Sequence, residues 1–94
     1  MDVRVRVPTP LRDVAGGAAE VVVAVDGTVT VGAVLDALAT THPALERRVR
    51  DEVGRVRPHV NLFVGEDHIR DLEALATPVP PGVEVSVIAA VSGG

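Results

Sequence analysis

The sequence predicts an α+β domain, with one main helix packed across one face of a mixed sheet of four or five strands. Three observations carry this. β-Branched segments alternate with period two, one segment carries an apolar stripe at helical spacing, and turn residues separate them. Asp2 to Val7 places Val3, Val5 and Val7 on one face and Arg4 and Arg6 on the other, a half-buried strand that Pro8 and Pro10 end. Asp13 to Gly17 carries turn chemistry, and Glu20 to Val25 is β-branched and apolar, a second strand. The two form a hairpin with a long loop.

Asp26-Gly27 breaks the pattern, and Thr28 or Thr30 is the helix N-cap. Val31, Val34, Leu35 and Leu38 then fall at i, i+3, i+4 and i+7, one stripe of a helix that ends before Pro43. Ala44 to Val53 adds a shorter helical stretch, with Leu45 and Val49 inward and its charges solvated. Arg55 to Pro58 is a loop and Val60 to Val64 a third strand. Gly65-Glu66-Asp67 is a turn, with Ile69 beginning a short edge strand. Asp71 to Pro80 is irregular, Pro80-Pro81-Gly82 is a turn, and Val83 to Ala89 is the final strand. That strand can lie beside the first, parallel to it, in the middle of the sheet. This is the β-grasp, or ubiquitin-like, layout over residues 1–89, followed by a flexible C-terminal tail over residues 90–94.

Composition narrows the function. The 94 residues make one domain, 47% apolar, with a mean hydropathy of +0.32. There is one Phe, Phe63, and no Trp or Tyr, so base stacking on aromatic side chains has no platform. A net charge of −4 argues against a nucleic-acid backbone as partner. There is no cysteine, hence no thiolate nucleophile, disulfide or cysteine zinc site. All nine basic residues are Arg, so no side-chain amine is present for isopeptide chains built on the protein itself. No leader or apolar run of membrane-spanning length is read, and cytoplasmic residence is the expectation, with no membrane partner.

Two places carry chemistry. The chain closes on Ala90-Val91-Ser92-Gly93-Gly94. Glycine lacks a Cβ, so such a segment threads a narrow channel and ends in an unhindered carboxylate. Five extended residues reach roughly 17 Å, at about 3.3 Å each. The second place is the sheet face away from the helix, where Asn61, Phe63, Glu84, Ser86 and Ile88 point outward by alternation. Phe63 and Ile88 are large and apolar where polarity is the rule, which marks a partner surface with Arg4 and Arg6 as its polar rim. His42, His59 and His68 have no metal-ligand spacing, so no metal site is expected. Ser92 is a spacer, because no Ser-His-Asp arrangement is available to it.

These residues resemble the MoaD/ThiS family of sulfur-carrier proteins over nearly the whole length. The resemblance is strongest at Val60-Asn61, the turn Pro81-Gly82, the strand Val83 to Val87 and the Gly93-Gly94 terminus. The Gly32-x-Val34-Leu35 helix start and the Ala76-Thr77 segment look closest to the carriers of actinobacterial cysteine biosynthesis. At the tail base, where the family often has Pro, this chain has Ala89 and Ala90, which makes the base less stiff.

The resemblance implies a carrier, not an enzyme. A ubiquitin-activating-type adenylating enzyme would use ATP and Mg²⁺ to adenylate Gly94, and a sulfurtransferase step would leave a thiocarboxylate there. A sulfur-accepting synthase would take the sulfur, a PLP enzyme in the cysteine case, with a metallohydrolase releasing the product. The carrier itself would bind no cofactor. Molybdopterin, thiazole and sulfur-containing natural products are alternative destinations. A ubiquitin-like modifier joined to protein lysines, and a plain interaction domain, are the competing readings.

Overall fold

The computed structural model describes residues 1–89. Five strands, β1 (Asp2–Arg6), β2 (Glu20–Ala24), β3 (Val60–Val64), β4 (Asp67–His68) and β5 (Val85–Ala89), form one sheet in the order β2-β1-β5-β3-β4. β1 and β2 pair antiparallel, β5 runs parallel to β1, and β3 is antiparallel to both β5 and β4. Two helices, α1 (Val31–Thr41) and α2 (Pro43–Val49), follow β2. The last strand lies between the first and third, as the β-grasp expectation requires.

Alternation places the core. Val3 and Val5 of β1, Val21 and Val23 of β2, Val60, Leu62 and Val64 of β3, and Val85 and Val87 of β5 are all buried. The apolar stripe of α1, Val31, Val34, Leu35 and Leu38, meets them, and Leu45 and Val49 of α2 complete the cluster. Each α1 stripe residue is fully buried, at 0% exposure. Thr30, rather than Thr28, caps the helix: its Oγ1 accepts the Ala33 N–H at 3.1 Å.

Where element boundaries differ from the expectation, local chemistry explains the difference. The segment after β1 is not an open loop but a 3-10 helix over Thr9–Ala15. Pro10 starts it, where a missing N–H costs nothing, and Leu11 and Ala15 are buried. Gly16, at φ 66°, stops it in the left-handed region. α2 ends at Val49 rather than Val53, because Arg50 turns extended and bridges Val56. The Asp51 carboxylate then accepts the N–H groups of Val53 and Arg55, both at 3.0 Å, and closes the turn. The edge strand begins at Asp67 rather than Ile69, whose buried side chain instead starts a 3-10 turn. β5 begins at Val85 rather than Val83.

The irregular stretch from Asp71 to Pro80 straps the start of α1. Thr77 is buried, its carbonyl accepting Val31 N–H at 3.0 Å and its Oγ1 accepting Glu73 N–H at 2.9 Å. Val79 N–H reaches the Val29 carbonyl at 2.9 Å. Ala74 sits at φ 52°, an uncommon value for a residue with a Cβ, held by these contacts.

Arg50 joins the two helices. Its Nε donates to Glu46 Oε2 at 2.6 Å and its Nη2 to Asp36 Oδ1 at 2.9 Å. Burial alone would lower its pKa, but the two carboxylates outweigh that and raise it above the ordinary arginine value. No helix among the described residues is long and apolar enough to cross a membrane.

Leu38→Ala is expected to cost about 2–5 kcal/mol, read as a fall in the urea midpoint, since its site lies between helix and sheet. Asp51 supplies a pH signature. The Arg55 N–H lowers its pKa most; desolvation opposes this, and the Val53 N–H and the charges of Arg55 and Arg57 add to the lowering. A depressed carboxylate stabilises above its unfolded pKa and loses that contribution as pH falls through the folded value. The stability gap between the native chain and Asp51→Ala should therefore be full at neutral pH and shrink below about pH 4, measured by urea unfolding across pH.

Candidate functional site: the outer face and the end of β5

The pairing register draws one row across the whole sheet. Glu20 lies opposite Arg6, Arg6 beside Ser86, Ser86 opposite Phe63, and Phe63 opposite His68. Asn61 lies opposite Ile88 one step further along. The face away from the helices therefore collects Arg6, Phe63 and Ile88, as the alternation predicts, with Arg4 on the same face of β1.

The apolar half of this face is built on β3 and β5. Ile88 is 50% exposed, one residue before Ala89, where β5 ends. Phe63 is half-buried, its ring edge-on to the His68 ring with centroids 5.0 Å apart and planes at 66°. His68 accepts the Arg70 N–H at Nδ1, at 3.0 Å. Its Nε2 therefore carries the proton that it donates to Asn61 Oδ1 at 2.9 Å. One imidazole thus orients both outward residues of β3. Its lack of metal-ligand spacing gave no hint of this role; the available signal is its place just across the Gly65 turn from Phe63.

The charged half is less open than a free arginine rim. Arg4 and Arg6 both approach Glu84 Oε2 at 3.8 Å, and Arg4 also reaches Glu20 at 4.0 Å. Ser86 Oγ donates to Glu84 Oε1 at 3.1 Å. The two guanidinium groups keep 51% and 61% side-chain exposure, so each pair is weak and partner-exchangeable.

A groove missing from the sequence reading lies beside the end of β5. It holds about 310 Å³ between Arg6, Pro8, Thr9 and Arg12 on one side and Ser86 and Ile88 on the other. Arg12 is fixed there by its Nε donating to the Val7 carbonyl at 3.1 Å. The groove exists because Thr9–Ala15 coils instead of looping out. A larger hollow of about 430 Å³, lined by Leu72, Thr77 and Pro80, lies at the Val64 end of β3. Val64 pairs with Val85, the opposite end of β5 from Ala89, so that hollow is separate from this face.

The proposed reacting residue Gly94, with Ala90, Val91, Ser92 and Gly93, lies outside the described residues. Among the described residues no group of three or more His, Cys, Asp or Glu is placed to hold a metal. His42 instead joins α1 to α2, its Nδ1 2.9 Å from Thr41 Oγ1.

The ThiS family model matches residues 5–94. The chain belongs to the ThiS family. The sulfur carrier protein CysO of Mycobacterium tuberculosis is 33% identical over 96 residues, covering 100% of both chains. The crystal structure of SAMP1 from Haloferax volcanii superposes with a TM-score of 0.84 at 36% identity, covering 100% of each chain. The CysO-matching structure from Amycolatopsis orientalis, a BexX/CysO complex, gives 0.81 at 28% identity over 98% of this chain and 99% of that one. These solved structures establish the ubiquitin-like β-grasp for this member of the ThiS family. Its relatives are small protein carriers and modifiers, not enzymes themselves.

Ile88→Asp should keep the fold, with an unfolding free energy within about 0.5 kcal/mol of the native chain, as for an ordinary surface position. His68→Ala should broaden or shift the amide resonances of Asn61 and Phe63 while leaving those of α1 in place, a comparison made by two-dimensional NMR.

Proposed function

We propose that this ThiS-family protein is a sulfur carrier of the CysO type, activated and loaded at Gly94. The observation that carries the reading is that the family match runs through Gly93-Gly94, with the CysO alignment spanning both chains in full. The composition supports it: with no cysteine in the chain, no side-chain thiol competes with a terminal sulfur for oxidation or exchange.

The proposed cycle begins with an adenylating enzyme docked on the outer face, over Phe63 and Ile88 with Arg4 and Arg6 at the rim. Ala90 to Gly93 reach into its ATP site. The Gly94 carboxylate attacks the α-phosphate, forming an acyl-adenylate and releasing pyrophosphate. The enzyme and its Mg²⁺ supply the charge neutralisation. A sulfur donor then attacks the acyl carbon, AMP leaves, and Gly94 carries a thiocarboxylate. A sulfur-accepting synthase takes that sulfur, a PLP enzyme with a metallohydrolase in the favoured cysteine-forming case. The complex of a CysO with BexX in Amycolatopsis orientalis supports a protein partner for carriers of this shape. Exposed Ile88, one residue before the end of β5, would let the same contact hold the body and aim the tail. The activating enzyme, not the carrier, would use the nucleotide, in the cytoplasm.

A second reading has its own support in the SAMP1 likeness, since the curated relative is a small archaeal modifier protein. In that case Gly94 would be joined to lysine amines of other proteins.

Intact-mass spectrometry tests the carrier reading. Incubation with a CysO-type activating enzyme, ATP and a sulfide donor should replace one oxygen of the chain by sulfur, and deletion of Gly94 should abolish the change. Ile88→Asp should lower kcat/KM for activation by about tenfold or more, the effect of truncating a central contact. Labelling that persists without Gly94 overturns the reading. Gly-Gly remnants on cellular lysines, with no thiocarboxylate, favour the modifier.

A further inference from the structure

β2 is the outermost strand of the sheet, and its free edge is unusually bare. Met1 and Val25 exchange both backbone hydrogen bonds at 2.9 Å, and Val7 N–H reaches the Ala19 carbonyl at 2.9 Å. With the β1–β2 register, this fixes which pairs face inward: Val21, Val23 and Val25 spend their N–H and C=O groups on β1. Glu20, Val22 and Ala24 therefore present theirs outward, and no other element among the described residues hydrogen-bonds them. Sheet edges are normally blunted by a Lys, a Pro, a bulge or extreme shortness. The opposite edge, β4, is two residues long. β2 has five regular residues, Glu-Val-Val-Val-Ala, in a chain with no Lys, and Val22 is 54% exposed.

We propose that β2 is a pairing surface for a second copy of this chain, joined antiparallel about a two-fold axis at Val22. The occupant follows from the register. Centring on Val22 sets Val22 against its copy and Glu20 against Ala24, so the exposed valines cover each other. Continuing outward, Asp26 meets Ala18, so no carboxylate faces another. Shifting the axis by one residue toward the C-terminus sets Glu20 against Asp26, and shifting it toward the N-terminus sets each Val22 against a Glu20. The centred register satisfies all the outward groups of Glu20, Val22 and Ala24 and makes a continuous sheet of both copies. Two short edges bury less than the roughly 1,600 Å² of a standard stable interface, and each copy carries a net charge of −4. The dimer is therefore concentration-dependent and tightens with salt. β5, with Ile88, lies two strands from the junction, so a dimer leaves the outer apolar face open.

Sedimentation and amide exchange of the full chain, between micromolar and millimolar concentration, test this together. The expected result is a rising dimer fraction with the Glu20, Val22 and Ala24 amides slowing by about tenfold or more as solvent-facing groups become paired. Val22→Lys should abolish both effects and Val22→Thr, β-branched and strand-compatible, should retain them. Because the chain has no cysteine, Val22→Cys gives a clean second readout. Paired Cα atoms about 5.5 Å apart lie within disulfide reach, so it should oxidise to dimer far faster than the exposed control Val53→Cys. A chain that stays monomeric at millimolar concentration, with these three amides exchanging at an unchanged rate, overturns the proposal. So does a dimer that survives Val22→Lys, or a Val22→Cys variant that oxidises no faster than the control.

Discussion

The structure depends on where β5 lies. It pairs parallel with β1 and antiparallel with β3, and Val85 and Val87 enter the core on one side. Its first residues, Val85 and Ser86, are held by ladders on both flanks, while Val87 to Ala89 pair with β3 alone, and Val87 and Ile88 border the Arg12 groove on the other side. The β3 ladder continues to Ala89, paired with Val60. The described chain therefore ends beside Ile88 on the outer face, held there by its pairing with β3. A carrier needs that property, because its partner must recognise the body and receive the end of the chain in one binding event.

The outer face divides its labour by charge. Its apolar half, Phe63 and Ile88, offers area that water leaves readily, and the His68–Asn61 bond keeps the β3 residues in one arrangement. Its charged half is a network in which Arg4 and Arg6 share Glu84 at long, exposed distances. Such pairs add little to stability. They leave two exposed guanidinium groups that can take a further carboxylate beside Glu84. The acidic excess of the chain as a whole favours partners with basic docking surfaces.

Legibility in the sequence followed the strength of periodicity. β1, β3 and α1 carry clean period-two or 3.6 patterns and were readable to within a residue, and so was the central position of β5, from its apolar character. The misplacements fall where no period operates. Thr9–Ala15 contains too few residues to show a helical stripe, and its prolines read as breakers although one of them starts the turn. Ile69 has strand propensity, yet its burial in a 3-10 turn is set by contacts distant in sequence. Within the site, alternation placed Phe63, Ile88, Arg4 and Arg6 on one face. It could not supply the Glu84 pairing, the His68–Phe63 contact or the Arg12 groove, because each depends on strand order and loop path rather than on spacing.

The described body satisfies its own polar groups. No described residues form a metal cluster, and none of their buried side-chain polar atoms lacks a partner. The whole chain adds neither thiol nor side-chain amine. The family match runs through Gly94, the residue at which the proposed carrier chemistry would take place. The weak point of the design is elsewhere, at β2. There the alternation that fills the core leaves Val22 and three outward backbone pairs at an edge with no lysine to guard it. The same valine-rich composition that makes a small core sufficient is what makes that edge available for pairing.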